Sequence, residues 1–221
     1  MCVTQLLDHL RFIFNSSEAS LFFKENCERF SHESIYKNVK DFKSIGFLSR
    51  NHEYNRKILN LFQPAHITLD AQALDDFRVH RDILIQNFDV VHVLRAQVAL
   101  DDLLMANIRY IYMNCIQLSM KTLNQFLKLW TRGSNSRLEC LYLEFPDVFR
   151  FEELLSGLTY QHAPPNSVRL FKTSGYKSPL VVPKGRDIWR HDGTKATILL
   201  GVRGNIVKFG FYVWHDYCVV N

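Results

Sequence analysis

The chain alternates short runs of β-branched and aromatic residues with longer stretches whose apolar positions recur at helical spacing. Runs at 19–23, 44–48, 66–70, 90–95, 109–113 and 139–144 read as strands, and their midpoints lie roughly two dozen residues apart. Helix-like segments fill the gaps. Ile35, Val39 and Phe42 fall at i, i+4 and i+7 behind Ser31, a suitable N-cap. Tyr54, Ile58, Leu61 and Phe62 form a second stripe. Over 119–131, Leu123, Phe126, Leu127 and Trp130 share one face, and Gly133 is placed to stop the helix. Strands alternating with helices, joined by short connectors, predict an α/β chain with a parallel curved sheet lined on one side by helices. The period is that of an irregular leucine-rich-repeat-like βα solenoid, although no clean asparagine ladder accompanies it.

Successive strand residues point to opposite sides of a sheet. Directing Ile67, Leu69, Val91, Val93, Ile111, Met113, Leu141 and Leu143 toward the helices leaves Thr68, His92, Tyr112 and Tyr142 on the open face. The last quarter of the chain reads differently. Runs at 187–191 and 194–199 flank Asp192-Gly193, a strong hairpin signal, and a second turn at 202–206 leads into 207–215. A small antiparallel β-meander follows, with Phe209, Phe211 and Val213 on an apolar face and Arg190, Lys195, Lys208 and aromatic rings on the other. The paired prolines of the 161–167 stretch cannot continue a helix. The expected organisation is a βα repeat region over 1–160, a connector over 161–167 and an antiparallel β subdomain over 168–221.

Composition sharpens this picture only in part. Hydrophobic residues make up 47% and charged residues 22% of 221, which excludes a wholly disordered chain. A chain of this length buries about 70% of its unfolded surface and needs no disulfide or metal staple. The five cysteines are scattered, without a C-x-x-C pair, as in reduced intracellular proteins. Asp8, His9 and Arg11 spoil a secretory apolar stretch, and no run of about 18 apolar residues occurs, so an intracellular, non-membrane location is expected. The Asn15-Ser16-Ser17 sequon should then stay unused. The net charge is +5, and its excess sits late: residues 168–221 carry nine Lys and Arg against Asp187, Asp192 and Asp216.

Phosphate-binding, dinucleotide-binding and nucleophile-elbow motifs are absent from the sequence, and no H-E-x-x-H occurs. No catalytic residue, metal ligand or cofactor is therefore expected. Cys115, with His92 or His66 as base, is the nearest approach to a nucleophile, but its apolar setting favours an inert buried thiol. Asp101-Asp102 heads a Leu-Leu segment and reads as a helix cap. Arg186, Arg190, Lys195, Arg203 and Lys208 interleave with Trp189, Tyr212 and Trp214, the composition of a nucleic-acid stacking platform. Protection of sheet edges, or contact with a protein, accounts for the same residues.

The segment Leu123-Asn124-Gln125-Phe126-Leu127-Lys128-Leu129-Trp130 and its continuation Thr131-Arg132-Gly133-Ser134-Asn135-Ser136-Arg137-Leu138 resembles the L-N-x-F-L-K-x-W-x-x-G-x-N-x-R-L signature of the type 2 F-box-associated domain, a family expanded in nematodes. Leu100-Asp101-Asp102-Leu103-Leu104, followed by 110–115, resembles the stretch that precedes that signature. Residues 187–198 resemble its D-I-x-R-x-D-G-T-x-A-T-I block, with 211–215 as the closing strand. The resemblance spans about 55–215 and implies a domain that presents substrates to a cullin-based ubiquitin ligase, coupled through an N-terminal F-box to a Skp-type adaptor. The opening of this chain has no Leu-Pro start and resembles the region that follows an F-box. The resemblance thus implies a protein-binding module for an unidentified protein substrate; with no catalytic motif, no F-box start, no apolar span and only a modest basic excess, an enzyme, a Skp-type adaptor partner, a membrane partner and a nucleic-acid partner are not expected. The alternatives are a complete receptor that still couples to the adaptor, or nucleic-acid binding by the C-terminal sheet. Candidate contacts are His92, Tyr112, Tyr142, Trp189, Arg190, Lys195 and Trp214.

Overall fold

The apolar runs pair as strands in a computed structural model that describes residues 20–39, 42–70, 81, 83–146, 150–164 and 168–220. The opening residues, on which the F-box expectation rests, lie outside the described residues. Six strands, β1 (Ser20–Phe23), β2 (Ser44–Phe47), β3 (His66–Asp70), β4 (Val90–Gln97), β5 (Tyr110–Gln117) and β6 (Cys140–Pro146), lie parallel and side by side in chain order. Each occupies a predicted run, and β4, β5 and β6 extend past its predicted C-terminal end. Described helices are α1 (His32–Asn38), α2 (His52–Phe62), α3 (Leu100–Met105), α4 (Met120–Thr131) and α5 (Phe151–Leu155). Right-handed crossovers that always step in the same direction place their helices on the same face of the sheet. The core follows: Ile45, Ile67, Leu69, Val91, Ile111, Met113, Leu141 and Leu143 point to that face and pack with Ile58, Leu123, Phe126, Leu127 and Trp130.

Past β6 the sheet turns antiparallel. Two-residue β7 (Gln161–His162), β10 (Arg186–Trp189), β11 (Lys195–Arg203) and β12 (Ile206–Val213) complete a ten-stranded order, β1-β2-β3-β4-β5-β6-β12-β11-β10-β7. The predicted meander is present as β10, β11 and β12, but it does not cap the parallel strands. Tyr212 to Ile206 pairs along β6 from Cys140 to Pro146, so one sheet runs unbroken from parallel to antiparallel. The chain is mixed α/β around this sheet. A separate three-stranded sheet, β13 (Val219–Val220), β8 (Arg169–Phe171) and β9 (Leu180–Val182), was not foreseen. It covers part of the face that the helices leave bare, burying Phe171, Val182 and Cys218 against Val90, Tyr110, Cys140 and Tyr212.

The family-like signature folds as one structural unit. Ser119 caps α4 by accepting the Thr122 N–H at 3.1 Å. The helix closes with Gly133 N–H on the Trp130 carbonyl and Ser134 N–H on the Leu129 carbonyl, a Schellman arrangement. Gly133 sits at φ +113°, where a side chain would be strained, and a Cβ there would also come within 2.7 Å of the His191 ring. Trp130 is fully buried with its ring edge-on to Phe211, centroids 5.0 Å apart. The two signature asparagines terminate neighbouring helices. Asn124 donates to the Leu154 and Ser156 carbonyls at the end of α5 (2.7 and 2.9 Å), and Asn135 donates to those of Leu103 and Ala106 at the end of α3 (2.8 and 3.0 Å). Such carbonyls have no intrahelical partner, and a buried one left unpaired is costly.

Replacing Asn124 or Asn135 by alanine is accordingly expected to lower unfolding stability by about 1–3 kcal/mol each. Urea denaturation followed by far-UV circular dichroism measures this, and unchanged midpoints in both variants would remove the capping role.

Candidate functional site

The face opposite the helices is organised in rows, because parallel strands in register place equivalent residues side by side. One row runs Ser20, Ser44, His66, Val90, Tyr110, Cys140, Tyr212, Thr197, Asp187 and Gln161 across all ten strands. The small sheet covers its middle. The adjacent row runs Phe22, Gly46, Thr68, His92, Tyr112, Tyr142, Gly210 and Leu199. Its central members are half-buried side chains that the small sheet flanks without enclosing.

The predicted row is thus assembled. The His92 ring meets Tyr112 edge-on with centroids 5.5 Å apart, and Tyr112 stacks on Tyr142 at 5.7 Å with ring planes 13° apart. Such pairs add about 0.5–1.5 kcal/mol each beyond their buried area. They hold the rings in fixed orientations. Tyr112 donates its hydroxyl to Glu144 at 3.2 Å, and Glu144 also pairs with Lys208 at 2.9 Å. Burial and the Glu144 carboxylate push the Tyr112 phenol up to about 12. Tyr142 is raised chiefly by burial, and both remain neutral donors at physiological pH. Tyr176 extends the cluster: half-exposed, it stands edge-on to Tyr110 and hydrogen-bonds that hydroxyl at 3.3 Å.

The meander residues divide. Trp189 pairs with Lys195, and Lys195 stands beside Trp214 on the outer face, with its Nζ 5.7 Å from the Trp214 ring. Trp214 is anchored by its Nε1–H on the Thr197 hydroxyl at 2.8 Å, by Arg169 over its ring and by Phe171 edge-on. Arg190 departs from expectation. Only 7% of its side chain is exposed; it lies against Trp130 on the helix side and clamps the turn through Asp192 and Thr194. It is therefore not a surface contact. Hydrogen bonds from Arg190 and the Thr194 N–H hold the Asp192 carboxyl well below the usual carboxylate range. Arg186 likewise leaves the outer set, its guanidinium packed on the Phe151 ring of α5.

Alternation located the row but missed its supports. Glu144 lies two residues from Tyr142 and was findable by the same rule. Tyr176 and the buried Arg169–Asp187 pair, at 2.9 Å, join segments whose contact leaves no local sequence signal. Glu139, almost wholly buried, ties the loop after β8 to the large sheet by accepting from Thr173, Ser174 and the Ser174 N–H. Asp102 accepts the Ala99 N–H at 2.9 Å and so acts as a helix cap, as predicted.

Cys115 packs in the helix-side core, whereas His92 and His66 stand in the outer-face rows; the strand lies between thiol and imidazole. Burial pushes the Cys115 thiol up to about 12, far from the thiolate a nucleophile requires. Among the described residues no three His, Cys, Asp or Glu side chains converge on a common point where a metal ion would sit. No described helix is long and apolar enough to cross a membrane.

With this geometry in place, residues 79–143 match a protein family described as F-box associated. The matched segment contains β4, α3, β5 and α4 with most of β6, which includes the His92, Tyr112 and Tyr142 positions. The 187–198 block and the rest of the meander lie beyond it. No curated protein and no solved structure matches the chain.

Two measurements follow from the site chemistry. Cys115, Cys140 and Cys218 are buried with raised thiol pKa values, so a thiol-exchange reagent should label them slowly in the native protein and rapidly in denaturant. Fast native labelling at these positions contradicts the packing. Burial, and then the nearby His66, lowers the His92 pKa from 6.5. The unfolded imidazole takes up its proton at a pH where the folded one does not, so stability should fall as pH drops below 6.5. His92→Gln should flatten that slope, and an unchanged slope in the variant sinks the assignment.

Proposed function

We propose that the chain is a protein-recognition module whose contact surface is the outer-face row centred on His92, Tyr112 and Tyr142, with Trp189, Lys195 and Trp214 forming a second patch on the antiparallel strands, across the row that the small sheet covers. One observation carries this reading: helices cover one face of the sheet, while the other holds a registered strip of half-buried aromatic side chains. Tyrosine and tryptophan are the side chains most enriched among residues that dominate binding energy. The F-box associated match over 79–143 supports the same reading, because this segment supplies the centre of the strip. In this reading the β1–β6 stretch is an irregular βα solenoid in which each turn contributes one side chain to the contact. The partner is a protein substrate, as in the recognition part of cullin-based ubiquitin-ligase receptors.

Proximity labelling in cells, comparing the native chain with a Tyr112→Ala/Tyr142→Ala variant of matched abundance and thermal midpoint, tests this. The native chain should enrich a defined set of proteins that the variant loses. An identical set from both chains refutes the strip as the contact. Recovery of a Skp-type adaptor with the native chain would extend the role to a ligase-coupled receptor.

A further inference from the structure

The outer-face row ends in a feature that the aromatic strip does not explain. On β11 and β12 the row and its neighbour carry glycines at Gly210 and Gly201, each in the interior of a strand. Glycine weakens a strand, and inside one it commonly marks the close approach of another chain or ring. Gly210 has such a reason within this molecule, since a Cβ there would meet the Tyr212 ring at 2.8 Å. Gly201 has none: nothing lies within 4 Å of where its side chain would be, and its backbone is unstrained. Gly201 pairs with Lys208, so that open space is on the outer face. The result is a trough floored by Gly201, Gly210 and Leu199, with Tyr142 and Tyr212 on one side and Lys184 on the other.

The trough has a charge preference. Lys208 lines it, and Arg203 lies two residues along β11 from Gly201, close enough to Lys208 for their charges to interact. Lys208 pairs with Glu144, which also accepts the Tyr112 hydroxyl. Among the described residues, neither Lys184 nor Arg203 has a carboxylate within ion-pair distance. Nucleic acid would suit the cations, but base stacking needs free ring faces. Tyr142, with one face taken by Tyr112, has room for a single ring, and Tyr212 lies over Gly210 with Phe171 edge-on to it, so the trough has no second platform on which successive bases would stack.

From this geometry we infer that the Gly201–Gly210 trough seats an extended acidic peptide segment of the protein partner. Its backbone runs over the glycines, an apolar side chain rests on Tyr142 and Leu199, and its carboxylates face Lys184 and Arg203. The inference rests on the recognition reading above and names the chemistry of what is recognised.

Fluorescence anisotropy of a labelled glutamate-rich peptide of about ten residues with one central phenylalanine tests it on the full chain. The peptide should bind, weaken as sodium chloride rises, and outcompete its glutamine counterpart by about tenfold or more. Gly201→Glu places a carboxylate in empty space, so it should cost about tenfold or more in affinity while leaving the thermal midpoint unchanged. Arg203→Glu should weaken binding in the same direction. Equal affinity for the glutamine peptide, or native affinity in the Gly201→Glu chain, overturns the inference. So does displacement of the peptide by an equimolar single-stranded oligonucleotide. Retention of cellular partners by Gly201→Glu, alongside their loss in the Tyr112/Tyr142 variant, also rejects the trough while leaving the aromatic strip standing.

Discussion

The architecture depends on the seam where β12 runs antiparallel to β6. Parallel strands can extend a sheet only through a crossover, whereas antiparallel strands can return through a tight turn. At the seam these two modes of growth share hydrogen bonds, and Phe211 of β12 is held from the helix side by Trp130 and Phe126 of α4. The β10–β11 hairpin then reaches back over the same helix. His191 donates its backbone N–H to the Thr131 carbonyl, its ring fills the space beside Gly133, and Arg190 lies against Trp130. The signature segment and the hairpin block are thus two halves of one contact, although about fifty residues separate them.

That contact explains why so much of the fold was legible. Alternation fixes which strand residues face the helices, and burial enforces it: Ile67, Val91, Ile111 and Leu141 are each no more than 1% exposed. Ser119 and Gly133 mark the ends of α4 through local hydrogen-bond chemistry, which sequence records directly. The small sheet was not legible, because its strands are two or three residues long and are held by distant partners such as Arg169–Asp187 and Glu139–Ser174. Arg190 was misplaced for a related reason. Its position before an Asp-Gly turn suggests a solvent-facing cation, but the turn folds it onto a tryptophan sixty residues earlier, a contact without local signature.

The two faces carry different kinds of constraint. On the helix side the side chains are interlocked, and the asparagines of α4 and the following loop satisfy the carbonyl ends of their neighbours. On the outer side the side chains are held by fewer contacts: stacked rings, one carboxylate shared between a phenol and a lysine, and a small sheet pinned by two buried acids. Under that small sheet Val90, Tyr110, Cys140, Phe171 and Tyr212 form a second, smaller buried cluster, and the row beside it stays half-buried.

The register of the parallel strands has a consequence for how such a surface diversifies. Every rung of the half-buried strip comes from a separate stretch of polypeptide, so one codon change rewrites one rung and the ring contacts it makes, while the helix-facing residues of the same strand keep their packing. Related chains could therefore differ widely in the chemistry of this face while keeping one shape.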